Sequence, residues 1–122
     1  MATRLTIRLD FEAGRRLGAG KVALLESIDR TGSISAAGRA QGMSYRRAWL
    51  LIDEMNTTFR QPVTTAQAGG AAGGGARLTE FGTHLAATYR AMEAAAAAGL
   101  APYLDKLTAE LVTPHSAGTA PS

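Results

Sequence analysis

The 122-residue sequence contains no cysteine, few aromatic residues and no long uninterrupted hydrophobic run. Without cysteine the chain has neither a disulfide nor a thiolate metal ligand, which suits a reducing compartment. Because aromatic residues are only 6% of the chain, a core must be built largely from alanine, leucine, isoleucine and methionine. The longest apolar run, Met92 to Leu100, is interrupted by Glu93 and Gly99 and is too short to span a bilayer. We therefore expect a cytoplasmic protein without membrane contact, and the charged N-terminus predicts no signal peptide.

Clusters of residues that carry catalysis or bind metals are scarce as well. The two histidines, His84 and His115, are isolated and match no metal-ligand spacing. Asp53 and Glu54 are adjacent, which places them on different faces of a helix, and no serine, histidine and aspartate grouping is present. The sequence therefore predicts neither an enzyme nor a metal site, and no cofactor is evident from it.

Positive charge is concentrated in the first three quarters of the chain. Residues 1–90 contain 12 basic and 7 acidic residues, whereas residues 91–122 contain 1 basic and 3 acidic residues. The net charge of the whole chain is +3. A basic excess confined to one region favours a polyanionic partner for that region.

The stretch from Gly32 to Phe59 predicts a short helix, a tight turn and a longer helix. Ser35 is suited to cap the first helix and Ser44 to cap the second, and Gly42 provides the positive φ that ends the first. A helical wheel of the second helix gathers its apolar residues on one side. These residues are Ala48, Leu51, Ile52, Met55 and Phe59.

Two arginines in the first turn of this second helix indicate a polyanionic ligand. Arg46 and Arg47 lie where the helix dipole already carries partial positive charge, and an anion across that end would remove the conflict. In a helix-turn-helix, this turn meets base edges in the major groove. A plain helical hairpin in a small bundle is the alternative, and Trp49 is equally suited to packing beside Ile52 or to contact with a thymine methyl group. The candidate DNA-contacting residues are Ser35, Ser44, Tyr45, Arg46, Arg47 and Trp49, with Lys21 and Arg77 as candidates for phosphate contact.

Extended segments flank this motif. Arg4 to Asp10 alternates and predicts a half-buried strand, Glu12 to Gly20 predicts a polar connector, and Lys21 to Arg30 predicts a supporting helix. Two short strands, PVTTAQ at 62–67 and Arg77 to Thr79, bracket a glycine-rich loop at 68–76 and predict a wing. A phosphate-binding P-loop is rejected because no Gly-Lys-Ser/Thr ending follows the glycines. The loop glycines Gly73, Gly74 and Gly75 are candidates for backbone contact with DNA.

The C-terminal part predicts helices with an apolar stripe longer than one small core can absorb. Thr79 caps a helix from Glu80 to about Ala98, and Pro102 suits the first turn of a further helix. Because such a stripe needs a partner, a second copy of the chain is expected, with folding back on the monomer as the alternative. The predicted dimerisation residues are Leu85, Tyr89, Met92, Leu100, Leu104, Leu107 and Leu111.

Several blocks of the sequence together resemble one family. They are GSIS at 32–35, GMSYRRAW at 42–49, EMN at 54–56, GG and GGGA within 69–76, and LTEFG at 78–82. Over about residues 3–93 they resemble the N-terminal DNA-binding domain of the ModE family, which is similar to the LysR-type winged helix-turn-helix. The resemblance implies a homodimer on double-stranded DNA. ModE proteins are molybdate-responsive regulators that bind the oxyanion in separate C-terminal domains, so this chain is expected to be a one-domain member without them. Molybdate as a ligand is implied by the resemblance alone.

The predicted fold class is therefore α+β: mainly α with a small β wing, a winged helix-turn-helix with C-terminal dimerisation helices. Its predicted parts are a DNA-binding domain at 1–93, a helical extension for dimerisation at 94–112 and a disordered tail at 113–122. The predicted function is a sequence-specific DNA-binding transcriptional regulator linked to molybdenum metabolism or transport. Two alternatives stay open. One is an oxyanion-binding protein that uses glycine-loop amides, and the other is a winged helix that serves as a protein-interaction module.

Overall fold

The computed structural model describes residues 3–67 and 75–114. Within these ranges the chain forms four α-helices and two separate pairs of short antiparallel strands, one pair before the first helix and one before the last. In chain order the elements are β1 (Arg8–Asp10), β2 (Arg16–Gly18), α1 (Ala19–Thr31), α2 (Ile34–Ala40), α3 (Tyr45–Thr58), β3 (Thr64–Gln67), β4 (Gly75–Leu78) and α4 (Glu80–Thr108).

The N-terminal strand pair joins a segment that is predicted as a strand to a segment that is predicted as a connector. Arg8 lies opposite Gly18 and Asp10 lies opposite Arg16, with a short 3-10 turn at Glu12–Gly14 between the strands. The predicted strand over 4–10 is shortened to its last three residues, and the predicted polar connector contains β2. Leu17 explains the second strand, because its side chain is buried in the core and holds this segment against the helices.

The first three helices form the centre of the core. The inward faces of α1 and α3 are buried as the apolar periodicity predicts. Gly38 on α2 allows a close approach to α3, since a Cβ at this position would lie 3.1 Å from the Cβ of Ala48. The buried Ser27 hydroxyl accepts hydrogen bonds from Gln41 (2.6 Å) and Arg30 (3.0 Å), so α1 and the end of α2 are joined by polar contacts as well.

The second strand pair is anchored to the helices at its base. Thr64 pairs with Leu78 and Gln67 pairs with Gly75. The backbone N–H of Ala76 donates to the carbonyl oxygen of Gly32 at the end of α1 (2.8 Å). The two strands predicted on either side of the glycine-rich loop are therefore paired.

Helix α4 is one continuous element of 29 residues. The prediction of a new helix at Pro102 is wrong, because the helix passes through both Gly99 and Pro102. Proline removes only one backbone donor, and alanine-rich sequence on its N-terminal side favours helix. The Thr79 side chain caps the start as predicted, by accepting a hydrogen bond from the N–H of Gly82 (2.9 Å).

The first three turns of α4 are fixed to the rest of the chain. Tyr89 is fully buried, and its hydroxyl donates to the carbonyl oxygen of Ile7 (2.7 Å). Burial raises the pKa of this hydroxyl, with a smaller contribution from Glu93. Beyond Met92 most side chains of α4 are exposed.

The predicted fold class is wrong. The described chain contains four helices and two separate two-stranded sheets, where the prediction has one β wing on a helical domain. The C-terminal segment is a single helix and not a set of dimerisation helices. In the described parts of the chain, no helix combines the length and the apolar character needed to cross a bilayer.

Candidate anion-binding surface

The start of α3 presents its longest side chains to solvent. Ser44 caps this helix as predicted, since its hydroxyl accepts a hydrogen bond from the N–H of Arg47 (3.1 Å). Tyr45 is 57% exposed and Trp49 is 46% exposed. Both residues border a shallow depression beside Arg46. Tyr45 is exposed because it lies in the first turn of α3, before the first buried residue of this helix, Ala48.

The arginines of this turn are exposed and uncompensated. The first turn of α3 contains no acidic residue, and within 3–67 and 75–114 neither Arg46 nor Arg47 forms a salt bridge. Their charge adds to the positive end of the helix dipole. The helix therefore presents aromatic rings and unpaired cations together.

A cavity of about 560 Å³ lies on one side of α3, between this helix, the β1–β2 pair and the start of α1. We call it the basic cleft, because four of its lining residues are cationic and one is acidic. The charged lining residues are Arg8, Arg16, Lys21, Arg47 and Glu54.

A second cavity, of about 410 Å³, lies on the opposite side of α3, toward β3 and β4. We call it the hairpin cleft. Asn56 belongs to its wall, and its side-chain oxygen accepts a hydrogen bond from the N–H of Val63 (2.7 Å), which holds α3 against the approach to β3. Its polar and aromatic lining includes Ser35, Tyr45, Trp49, Asp53, Asn56 and Thr65.

The structure separates the predicted contact residues into three groups. Tyr45, Arg46, Arg47 and Trp49 are brought together on α3, as described above. Arg77 is exposed on β4. Gly73 and Gly74 lie outside the described residues, and Gly75 begins β4.

Two of the predicted contacts need correction. Ser35 does not cap α2, because Ser33 is the cap and Ser35 accepts a hydrogen bond from Arg39 instead (2.9 Å). Lys21 is not a free phosphate ligand. Its side chain is 13% exposed, and its Nζ lies 3.1 Å from Glu54 Oε1 and donates to the carbonyl oxygen of Arg16 (2.8 Å).

The predicted dimerisation stripe divides into two parts. Leu85 and Tyr89 are buried in the core of one chain and cannot form an interface, so their assignment is wrong. Leu104 is half-buried. The exposed members of the stripe are Met92, Leu100, Leu107 and Leu111, and Tyr103 adds a further exposed ring.

Sequence reasoning missed Arg8 and Arg16. The sequence places Arg8 on the polar face of a strand and Arg16 in a polar connector, and only the antiparallel register of β1 and β2 brings them to one cleft. The alternation of apolar and polar residues over 4–10 predicts the solvent-facing side of the strand, which contains Arg8. No local signal identified its partner strand.

The comparisons connect the chain with proteins concerned with molybdenum. No family model matches the chain. It is 55% identical over 84 residues to the molybdenum-pterin-binding protein MopB of Rhodobacter capsulatus, a stretch that is 69% of this chain and 31% of MopB. It is 43% identical over 94 residues to the molybdenum transport protein ModE of Azotobacter vinelandii, covering 75% of this chain and 35% of that protein. A match of 39% identity over 69 residues relates it to the DNA-binding transcriptional dual regulator ModE of Escherichia coli K12, covering 57% and 26%.

These relatives correct the assignment made from sequence. The predicted likeness to molybdenum-related proteins, ModE among them, is confirmed. The narrower assignment to an N-terminal winged helix-turn-helix, in a one-domain member that lacks the molybdate-binding domains, is wrong, because the relatives MopB and MopA of Rhodobacter capsulatus are named as molybdenum-pterin-binding proteins. The matches give no support to a winged or LysR-type classification. The chain spans between about a quarter and a third of the length of the curated relatives it matches, and it is similar to that part of each of these proteins.

Proposed function

We propose that this chain binds duplex DNA through the exposed start of α3, as part of molybdenum-linked regulation. The observation that carries the proposal is the exposed set of Tyr45, Arg46, Arg47 and Trp49 in the first two turns of one helix. The E. coli relative is described as a DNA-binding transcriptional regulator, which supports the same assignment.

The surroundings of α3 suit a helix that enters a groove. The major groove of B-DNA is about 12 Å wide and admits one α-helix. A cleft lies on each side of α3, so the two phosphate backbones that border a groove would have space beside the helix. Arginine donates two parallel hydrogen bonds to guanine, and an aromatic ring can contact a thymine methyl group. We assign these roles to Arg46 and Trp49, and we assign phosphate contact to Arg47.

Fluorescence anisotropy with duplexes selected from genomic DNA tests this proposal. Arg46→Gln should weaken binding by roughly tenfold, because a charge-assisted contact to a base or phosphate is lost. Lys106→Gln, near the far end of α4, is the matched control and should leave the affinity unchanged. Absence of binding to any duplex at low salt would contradict DNA binding and favour a protein-interaction module.

Molybdate binding is the second candidate, and the names of the relatives support it more directly than they support DNA contact. MopB and MopA are both named as molybdenum-pterin-binding proteins. The glycine-loop amides first considered as donors lie mostly outside the described residues. The basic cleft offers a different set of donors for an oxyanion.

A homodimer is the assembly we propose for either function. The exposed apolar side chains of α4 beyond Met92 belong neither to the buried core nor to the partly buried residues packed against it in the described part of the chain. Apolar side chains in such a row are stabilised when a second copy covers them.

A further inference from the structure

We propose that the basic cleft is a binding site for a tetrahedral oxyanion, supplied either as the free ion, such as molybdate, or as a backbone phosphate of DNA. The proposal rests on the proposed function, because it names a site for the anion that each candidate function requires. It adds two residues, Arg8 and Arg16, that lie outside α3.

The first argument is the density of positive charge. Arg8, Arg16, Lys21 and Arg47 line one cavity, and Glu54 is the only carboxylate among its lining residues. Like charges that share a cavity repel one another, and a bound anion removes this unfavourable interaction. Four cations around one space, set against the paired carboxylates of Asp10 and Glu54, leave an excess of positive charge that favours an anion.

The second argument is that the arginines keep donors available. Arg8 binds the Asp10 carboxylate through Nε (3.0 Å) and Nη2 (3.1 Å), Arg16 Nε lies 3.8 Å from the same carboxylate, and the two arginine side chains are 59% and 61% exposed. Each guanidinium has five N–H donors in a planar fork, and one shared carboxylate occupies only part of them. Such forks match the oxygen spacing of phosphate and similar oxyanions.

The third argument is the position of Lys21 in the wall of the cleft. Its Nζ is fixed by Glu54 (3.1 Å) and by the carbonyl oxygen of Arg16 (2.8 Å), so its charge stays in place without a ligand. Glu54 therefore acts as an internal substitute for the anion. A ligand that reaches the cleft competes with this carboxylate for the ammonium group.

The start of α1 adds backbone donors to the same site. Gly18 and Gly20 line the cleft, and Gly18 occupies the cap position of α1 without a side chain that could accept from the first N–H groups. The first turn of α1 contains no acidic residue. The arginines carry the proposal, and these N–H groups increase the number of donors near the anion.

An NMR titration of the intact chain with sodium molybdate, at constant ionic strength maintained with chloride, tests the site directly. Saturable shifts of the arginine Nε–H signals of Arg8, Arg16 and Arg47 are expected. Arg16→Gln should weaken molybdate binding roughly tenfold, because a hydrogen bond to a charged group is lost. Arg15→Gln is the matched control, since Arg15 is the adjacent residue and does not line the cleft.

A second variant should change the affinity in the opposite direction. Glu54→Gln removes the competing carboxylate, and we expect molybdate to bind severalfold more tightly. Glu54 is 59% exposed, so the substitution leaves the core intact. A variant that merely damages the fold cannot produce this gain.

Two further measurements distinguish the sources of the oxyanion. If the free ion is the ligand, molybdate binds saturably without DNA, and Arg16→Gln leaves DNA affinity equal to that of Arg15→Gln. If a DNA phosphate is the ligand, Arg16→Gln weakens duplex binding and molybdate competes with the duplex. Equal responses of Arg16→Gln and Arg15→Gln in both titrations would overturn the site. Arg46→Gln tests the α3 surface separately, so failure of one proposal is distinguishable from failure of the other.

Discussion

The Arg90 guanidinium binds the Glu26 carboxylate through two hydrogen bonds, from Nε to Oε2 at 3.0 Å and from Nη2 to Oε1 at 2.7 Å. This pair joins α4 to α1, and Arg90 also contacts Glu93 at 2.8 Å. The hydrogen bonds from Arg90 lower the pKa of Glu26 against the opposing effect of burial. They also raise the pKa of Arg90, so the arginine stays charged.

We predict that this pair makes part of the stability depend on pH. Since the folded pKa of Glu26 lies below its ordinary value near 4.5, the contribution is fully present above that value. It is lost as the pH falls through the lowered pKa. Glu26→Gln should remove about 1 kcal/mol or less at pH 7, because both side chains are partly exposed. The free energy of unfolding in urea, measured from pH 7 to pH 3, gives this contribution. Glu110→Gln is the control for the loss of a carboxylate elsewhere in the chain.

A second prediction concerns the start of α4. A Cβ on Gly82 would clash with the carbonyl oxygen of Val63, which also accepts a hydrogen bond from the N–H of Thr79. Gly82→Ala should therefore destabilise the fold by roughly 1–3 kcal/mol, in the range of overpacking substitutions. Gly99→Ala is the matched control, because nothing lies within 4 Å of a Cβ there. It should stabilise by roughly 0.5–1 kcal/mol. Equal effects in thermal unfolding would contradict this account.

A third prediction concerns salt. If Arg46, Arg47 and the basic cleft meet phosphates in two copies of the chain, log affinity should fall with log salt with a slope on the order of −4 to −7. Arg47→Gln should reduce the magnitude of this slope by about one for each chain bound. Anisotropy titrations at several salt concentrations measure it. A slope near zero would exclude a phosphate-contacting role for this surface.

A fourth prediction concerns the exposed stripe of α4. Leu107 is 67% exposed, and burying a side chain of this kind is worth roughly 1.5–3 kcal/mol. Leu107→Glu should therefore shift the chain from dimer to monomer in sedimentation equilibrium, and its unfolding temperature should equal that of the unsubstituted chain diluted until it is monomeric. Ala98→Glu, on the opposite side of the helix, should leave the mass unchanged. A monomeric intact chain at tens of micromolar would show that the stripe is not an interface.

Local signals predicted the inward faces of the helices and the second strand pair, but they did not predict the first strand pair. Ser44 and the apolar periodicity fixed the start and the inward face of α3, because cap and periodicity are both properties of neighbouring residues. The strand at Arg16–Gly18 could not be predicted, because three residues show no alternation and its partner lies across a turn. The basic cleft was missed for the same reason, since it depends on the register of Arg8 and Arg16.

Apolar periodicity also failed to separate core from interface. Tyr89 and Leu107 belong to the same predicted stripe, yet Tyr89 is fully buried and Leu107 is mostly exposed. A helical wheel gives the face on which a residue lies. Whether that face meets its own chain or solvent depends on how far the helix extends beyond the core, and this is set by tertiary packing.

Because α4 extends beyond the core, its two halves differ in the free energy needed to open their backbone hydrogen bonds. At 1.5 Å per residue its 29 residues extend about 43 Å, and only the first three turns are buried. Opening of the buried part requires global unfolding, whereas the exposed part can open alone. Pro102 lies in the exposed part and removes one hydrogen bond from it. Amide exchange should therefore be slow up to Arg90 and fast beyond Gly99 in a single chain. If a partner binds along the exposed half, exchange beyond Gly99 should become slow as well.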